Sequence, residues 1–196
     1  MPLHARSHWI FDLDGTLTIP VHDFLAARDA LGIPHDCDIL GEIERWPEPR
    51  AQHARAWLDR WERDLAEHAA AQPDALALVH ALVARGARCG ILTRNTVPVA
   101  RLSLARIGLA DAFPDAWILG RESAAPKPSP AGILHLLGAW GCPPSDAVMV
   151  GDYVHDVRAG RAAGVATVLV NRDGESGWDD EADLVVSDLH ALADRI

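Results

Sequence analysis

The sequence predicts an α/β protein, a three-layer Rossmann-like parallel sheet with a small all-α cap inserted after the first strand. Three observations lead there. Short apolar runs alternate with helical patterns along most of the 196 residues, and several runs are apolar on both faces, as buried parallel strands are. The helical patterns close on glycine and the connections are short, which suits an open sheet with helices on both faces. One stretch, residues 18–73, shows helical spacing and no strand.

In chain order, "HWIFDLD" (8–14) is the first strand. "HDFLAARDALGI" (22–33) reads as a helix and residues 34–49 as a proline- and acid-containing connector. "RAQHARAWLDRWERDLAEHAAA" (50–71) reads as a second helix, with Ala54, Trp57, Leu58, Trp61 and Leu65 recurring at helical spacing. These segments form the cap, 18–73, and residues 1–17 and 74–196 form the core.

The core resumes with helix 74–86, ending at Gly86, and strand "ARCGILT" (87–93). Helix 97–108, ending at Gly108, leads to strand "AWIL" (116–119). "SPAGILHLLGAWG" (129–141) opens with Ser129 as a cap and Pro130 at the first helical position. Strand "AVMVGD" (147–152), helix 155–164, and strands "ATVLVN" (166–171) and "DLVVS" (183–187) complete the pattern. The acidic "RDGESGWDDEAD" (172–183) reads as a solvated loop.

Composition narrows the function. With 49% hydrophobic residues the chain can bury a sizeable core. A net charge of −10 repels the phosphate backbone, which argues against a nucleic-acid partner and requires a local positive cluster for any anionic substrate. Cys37, Cys89 and Cys142 are odd in number and lack CxxC spacing, so they read as buried, reduced thiols of a cytoplasmic protein. The first strand is reached within eight residues without the apolar segment of a secretory signal. No later run is long enough to span a bilayer, so the expectation is a soluble, cytoplasmic protein with no membrane partner.

Open parallel sheets bind ligands at the carboxyl ends of their strands, and four polar groups stand there. In "DLDGT" (12–16), Asp12 and Asp14 fall on the same side of a strand and can converge. Gly15 permits a sharp exit and the approach of an anion to backbone N–H groups. Two adjacent carboxylates repel unless a cation or proton sits between them, and a hard divalent cation such as Mg²⁺ answers that need. An ordinary acidic turn is the competing reading. In "ILTRN" (91–95), the Thr93 hydroxyl and the backbone N–H groups of Arg94 and Asn95 offer an anion seat, or Thr and Asn simply cap the next helix.

Lys127, in "PKPSP", is the only lysine beside 17 arginines. Its compact charge can reach one oxygen of a phosphate or carboxylate where an arginine would bring a broad planar fork. A surface lysine in a proline-rich turn is the alternative. In "VGDYVHD" (150–156), Asp152 and Asp156 can together hold a metal, or Asp156 merely favours a helix N-terminus. Tyr153, the only tyrosine, has no role legible in the sequence.

These four pieces, in this order, resemble the haloacid dehalogenase-like (HAD) hydrolase superfamily, whose signature is DxD, a Thr or Ser, a Lys, then GDxxxD. The resemblance covers about residues 7–17 and 74–190, and the helical stretch resembles the small cap of the subgroup that includes phosphoglycolate phosphatases. It implies a Mg²⁺-dependent phosphatase acting on a small phosphorylated metabolite through an aspartyl-phosphate, as a monomer or homodimer. Asp12 would be the nucleophile and Asp14 the general acid and then base. Asp12, the Asp14 carbonyl, Asp152 and Asp156 would hold Mg²⁺. Gly15, Thr93, Arg94 and Lys127 would bind the phosphoryl group.

A phosphomutase of the same fold shares the aspartyl-phosphate but returns the phosphoryl group to sugar, and nothing in the core motifs excludes it. A dehalogenase of this fold needs neither metal nor Asp14, and a phospho-acceptor signalling domain carries its acceptor on a middle strand. Within the cap, His22, Arg28, His35, Arg50, His53 and Arg55 are the candidate leaving-group contacts, most of them expected on solvated faces. Trp57 and Trp61 are expected to pack cap against core.

Overall fold

The short continuous apolar runs bury both faces of a sheet. The computed structural model describes residues 3–172, 174 and 177–196. It contains strands β1 His8–Phe11, β2 Arg88–Leu92, β3 Ile118–Leu119, β4 Ala147–Gly151, β5 Ala166–Val170 and β6 Leu184–Val186. They pair in the order β3-β2-β1-β4-β5-β6, all parallel. Trp9 and Phe11 enter one core cluster and Ile10 the other, all fully buried. Side chains of this kind contribute roughly 1.5–3 kcal/mol each by leaving water.

Helices α4 Ala75–Ala84, α5 Val97–Arg106 and α8 Leu189–Ala193 share the first cluster. Helices α6 Ala131–Trp140 and α7 Val154–Ala163 share the second, giving three layers. Helices α6 and α7 stop at Gly141 and Gly164, whose φ of 66° and 76° lie in the left-handed region that glycine adopts without strain. Ser129 caps one residue earlier than expected: Pro130 is the N-cap of α6, and the Ser129 hydroxyl accepts from the Ala131 N–H at 3.3 Å.

Between β1 and α4 lie three helices, α1 Phe24–Leu31, α2 Ile39–Glu44 and α3 Glu48–Ala66. Ala27, Ile33, Ile43, Ala51, Ala54 and Leu58 form a separate apolar cluster for them. The outgoing and returning chain segments are stitched together, Ile19 N–H to the Ala70 carbonyl at 2.9 Å and Gln72 N–H to the Leu17 carbonyl at 2.8 Å.

Several expectations need correction. Helix α2 falls inside the expected connector: Asp38 caps it by accepting from the Gly41 N–H, and Ile39 and Ile43, one turn apart, are buried. Helix α8 was also unexpected, and Asp188 caps it through the Ala191 N–H at 2.7 Å. Trp57 and Trp61 stack on each other at 5.8 Å and pack against the insertion's own cluster.

The acidic loop is tethered where it is described. Asp183 accepts from the N–H and hydroxyl of Thr167, and Glu181 pairs with Arg158 at 2.6 Å. Asp173, Glu175 and Ser176 of that stretch, like Met1 and Pro2, lie outside the described residues. All three cysteines are free, but only Cys89 is buried, and Cys37 and Cys142 are half-buried. Among the described residues, no helix is long and apolar enough to cross a membrane.

Candidate active site

Register fixes where the site is built. Phe11 is level with Ile91 and with Val150, so Asp12, Thr93 and Asp152 leave the sheet at one rim within one residue of each other. β1 ends at Phe11, earlier than the expected Asp14, and the chain then turns. Leu17 and Thr18 donate N–H groups to the Leu13 carbonyl, and Gly15 takes φ 87°. The Gly15 N–H goes to the Thr18 carbonyl at 3.0 Å, so it is not free for an anion as expected. What Gly15 supplies is room: a Cβ there would stand 2.1 Å from Asp152 Oδ2. Gly151 makes similar room, since its Cβ would stand 2.2 Å from Asp156 Cγ.

Lys127 is 3% exposed, so the surface-lysine alternative fails. Its Nζ lies 2.5 Å from Asp12 Oδ1 and 2.6 Å from Asp156 Oδ1. Asp156, in the first turn of α7, also accepts from the Tyr153 N–H through Oδ2. The Thr16 hydroxyl stands 3.4 Å from Asp12 Oδ2 and 3.2 Å from Asp152 Oδ1, and its single proton can serve one of them at a time.

Oxygens of Asp12, Asp152 and Asp156 lie within 4.8 Å of one another, opposed by the one ammonium. Burial first, then the charges of Asp12 and Asp156, push the Asp152 carboxyl up to about 8. Burial opposes the charge on Lys127, but Asp12 and Asp156 outweigh it and raise the lysine's pKa. An all-oxygen donor set with surplus negative charge fits a hard divalent cation such as Mg²⁺. The Asp14 carboxyl is not part of this cluster.

Asp14 instead accepts from the Asn95 side-chain amide at 2.6 Å. Burial, then the neighbouring Asp12 charge, raise its carboxyl to about 7. The buried Thr93 hydroxyl accepts from the Asn95 N–H at 3.1 Å, leaving its own proton for another acceptor. Of the six cap candidates, His22 reaches the site, its ring largely buried and its Nδ1 3.9 Å from Asp14 Oδ1. Arg28 donates to the Cys37 and Phe24 carbonyls, His35 pairs with Asp29, Arg50 lies over Trp46 and Arg55 pairs with Glu48. His53 is exposed.

Sequence reasoning missed several contributors. Thr16 lay inside a quoted motif without an assigned role, and the Asn95 side chain, read only as a helix cap, holds Asp14 while Thr96 takes the N-cap position of α5. Arg172 donates to the carbonyls of Gly15 and Thr16, and Gln72 to that of Gly15, bracing the turn from distant positions. Glu62 of α3 receives Arg121 Nη1 at 2.7 Å on both oxygens, tying the helical insertion to the loop after β3. Tyr153 is exposed and packs its ring on His155 and Trp178.

A cavity of about 610 Å³ opens at this rim, lined by Lys127, Arg94, His155, Asp38 and Arg121 among others. A second cleft of about 310 Å³, lined by His8, Arg88, Trp140 and Asp146, lies where the strands begin and holds none of the motif residues. Ligands of such sheets bind at the carboxyl ends, so the first is the candidate site.

The comparisons bear on the family and the fold. Residues 8–164 match the family model described as haloacid dehalogenase-like hydrolase. The chain is 33% identical over 183 residues to a haloacid dehalogenase-like hydrolase domain-containing protein of Arabidopsis thaliana, covering 87% of this chain and 73% of that one. It is 33% identical over 193 residues to a phosphoglycolate phosphatase of Rhodospirillum rubrum, covering 83% and 78%. The solved structure of a hydrolase from Pseudomonas syringae shares the fold with a TM-score of 0.80 at 24% identity, covering 96% of this chain and 97% of that one.

Proposed function

The chain belongs to the haloacid dehalogenase-like hydrolases, in the subgroup resembling phosphoglycolate phosphatases, and on that premise we propose that it is a Mg²⁺-dependent phosphatase of a small phosphate monoester, working through an aspartyl-phosphate on Asp12. Its class is phosphoric monoester hydrolase. The observation that carries the proposal is the crowding of three carboxylates around one buried ammonium at the strand ends.

Lys127 holds one oxygen of Asp12 and leaves the other to attack phosphorus, forming an O–P bond as the bond to the leaving alcohol breaks. Asp14, anchored by Asn95, gives its proton to the departing oxygen. It then takes a proton from the water that attacks phosphorus, which frees Asp12 and releases phosphate. The Thr93 hydroxyl and the Arg94 N–H bind the phosphoryl oxygens. Asp156 positions Lys127. Asp12, Asp152 and the Asp14 carbonyl, with Asp156 in support, would hold Mg²⁺, which when bound supplies positive charge to the phosphoryl oxygens.

Residues 18–73 act as a cap over the cavity, and the free thiols suit a cytoplasmic setting. Phosphate release from an aryl phosphate, with Mg²⁺ and with EDTA, tests the reading. Release in Mg²⁺ that drops at least about 100-fold in EDTA is expected. Isomerisation of a hexose phosphate without net release, or turnover indifferent to EDTA, contradicts it.

A further inference from the structure

Arg94 extends a side chain into the cavity that its backbone role does not require. Its guanidinium springs from the residue after Thr93 and lines the same cavity as Lys127. On one side Nη2 lies 2.6 Å from Asp38 Oδ2 and also bonds Oδ1. On the other, Nη1 lies 2.8 Å from His155 Nδ1. A guanidinium only donates, so Nδ1 is the unprotonated ring nitrogen and the imidazole is neutral, with its proton on Nε2. Among the described residues, the charge of Arg94 is therefore met by one carboxylate, Asp38, carried by the helical insertion.

The three cations lining the cavity differ in how firmly they are held. Lys127 is committed to two buried carboxylates, and Arg121 to Glu62, which is 7% exposed. Arg94 is 29% exposed and its partner Asp38 45% exposed. A half-exposed ion pair is weak and yields to a competing anion. The position also fits an anion: a carboxylate already sits against the guanidinium, which belongs to the residue next to Thr93.

We propose that Arg94 is a specificity-determining residue that binds a second anionic group of the substrate, a carboxylate or a phosphate, and that Asp38 fills this place until the substrate displaces it. The inference rests on the phosphatase reading of the cavity. It selects short substrates carrying two anions over esters with a neutral leaving group.

Binding of non-hydrolysable phosphonates, measured calorimetrically in Mg²⁺, tests it without turnover. The probes are a plain alkyl phosphonate, a carboxylate-bearing phosphonate and a bisphosphonate. The wild-type protein should bind one of the last two at least about tenfold tighter than the first, and which one identifies the second anion. That ratio should fall below about threefold in Arg94→Gln, remain mostly intact in Arg94→Lys, and rise severalfold in Asp38→Asn.

A wild-type protein without preference, or an Arg94→Gln protein that keeps it, overturns the assignment. A ratio unchanged or lowered in Asp38→Asn overturns the displacement. Binding preference without any phosphate release from esters would leave Arg94 in place and sink the phosphatase reading, whereas no binding of any probe sinks both.

Discussion

Lys127 and Arg121 sit in two buried polar clusters of the same protein, each meeting carboxylate oxygens at 2.5–2.7 Å. The clusters differ in charge balance. At Arg121 one guanidinium faces one carboxylate, Glu62, and the Arg94 carbonyl takes a further hydrogen bond at 3.1 Å. At Lys127 one ammonium faces Asp12 and Asp156, with Asp152 beside them. A balanced pair clamps two parts of the chain together. A surplus of buried carboxylates is unfavourable on its own and marks a place for a further cation.

The largest expected effect comes from changing the shape of the ammonium while keeping its charge. Lys127→Arg should remain folded by circular dichroism and lose activity on the order of 100-fold or more, because a planar fork cannot occupy the space between Asp12 and Asp156. Full activity in that variant would remove the reason for a lysine here.

A smaller effect tests the surplus directly. Mg²⁺ at about 100 times its dissociation constant should stabilise the wild-type protein by about 2.7 kcal/mol, seen as a rise in the thermal midpoint. Asp152→Asn should abolish most of that rise. If the variant responds to Mg²⁺ as the wild type does, Asp152 is not a ligand.

The smallest effect belongs to the balanced pair. Burial raises the Glu62 carboxyl to about 7 from an ordinary 4.5, despite the attraction of Arg121. Between those values the folded chain binds more protons than the unfolded chain, so the contribution of Glu62 to stability is fully present below 4.5 and lost as pH rises through 7. Denaturant unfolding should show the stability difference, wild type minus Glu62→Gln, falling by up to about 1 kcal/mol per pH unit over that window. A difference that rises with pH would mean that the ion pair outweighs burial.

The same contrast explains what was legible in the sequence. The groups at the strand ends could be read because each follows an apolar run, and parallel register brings such ends to one rim. The strand order itself came from pairing between segments far apart in the chain. Glu62 left a partial signal: Ala54, Leu58, Glu62 and Ala66 follow one another every four residues and all are buried, so an acid stood on an apolar stripe. Its partner Arg121 lies 59 residues away, and no local pattern names it.

Helix α2 was hidden because six residues with a glycine and two acids have little helical preference of their own. Asp38 and its cap bond supply what the composition lacks. The free N–H expected of Gly15 was taken by the turn that follows, a closure that depends on the path of residues 16–18.

The most direct test is to mix enzyme, Mg²⁺ and a phosphate monoester, quench in acid within a turnover, and locate any covalent phosphoryl group by mass spectrometry. The account predicts it on Asp12, accumulating when Asp14→Asn slows its hydrolysis. Phosphate release with no covalent intermediate, or with the group on another residue, would contradict it.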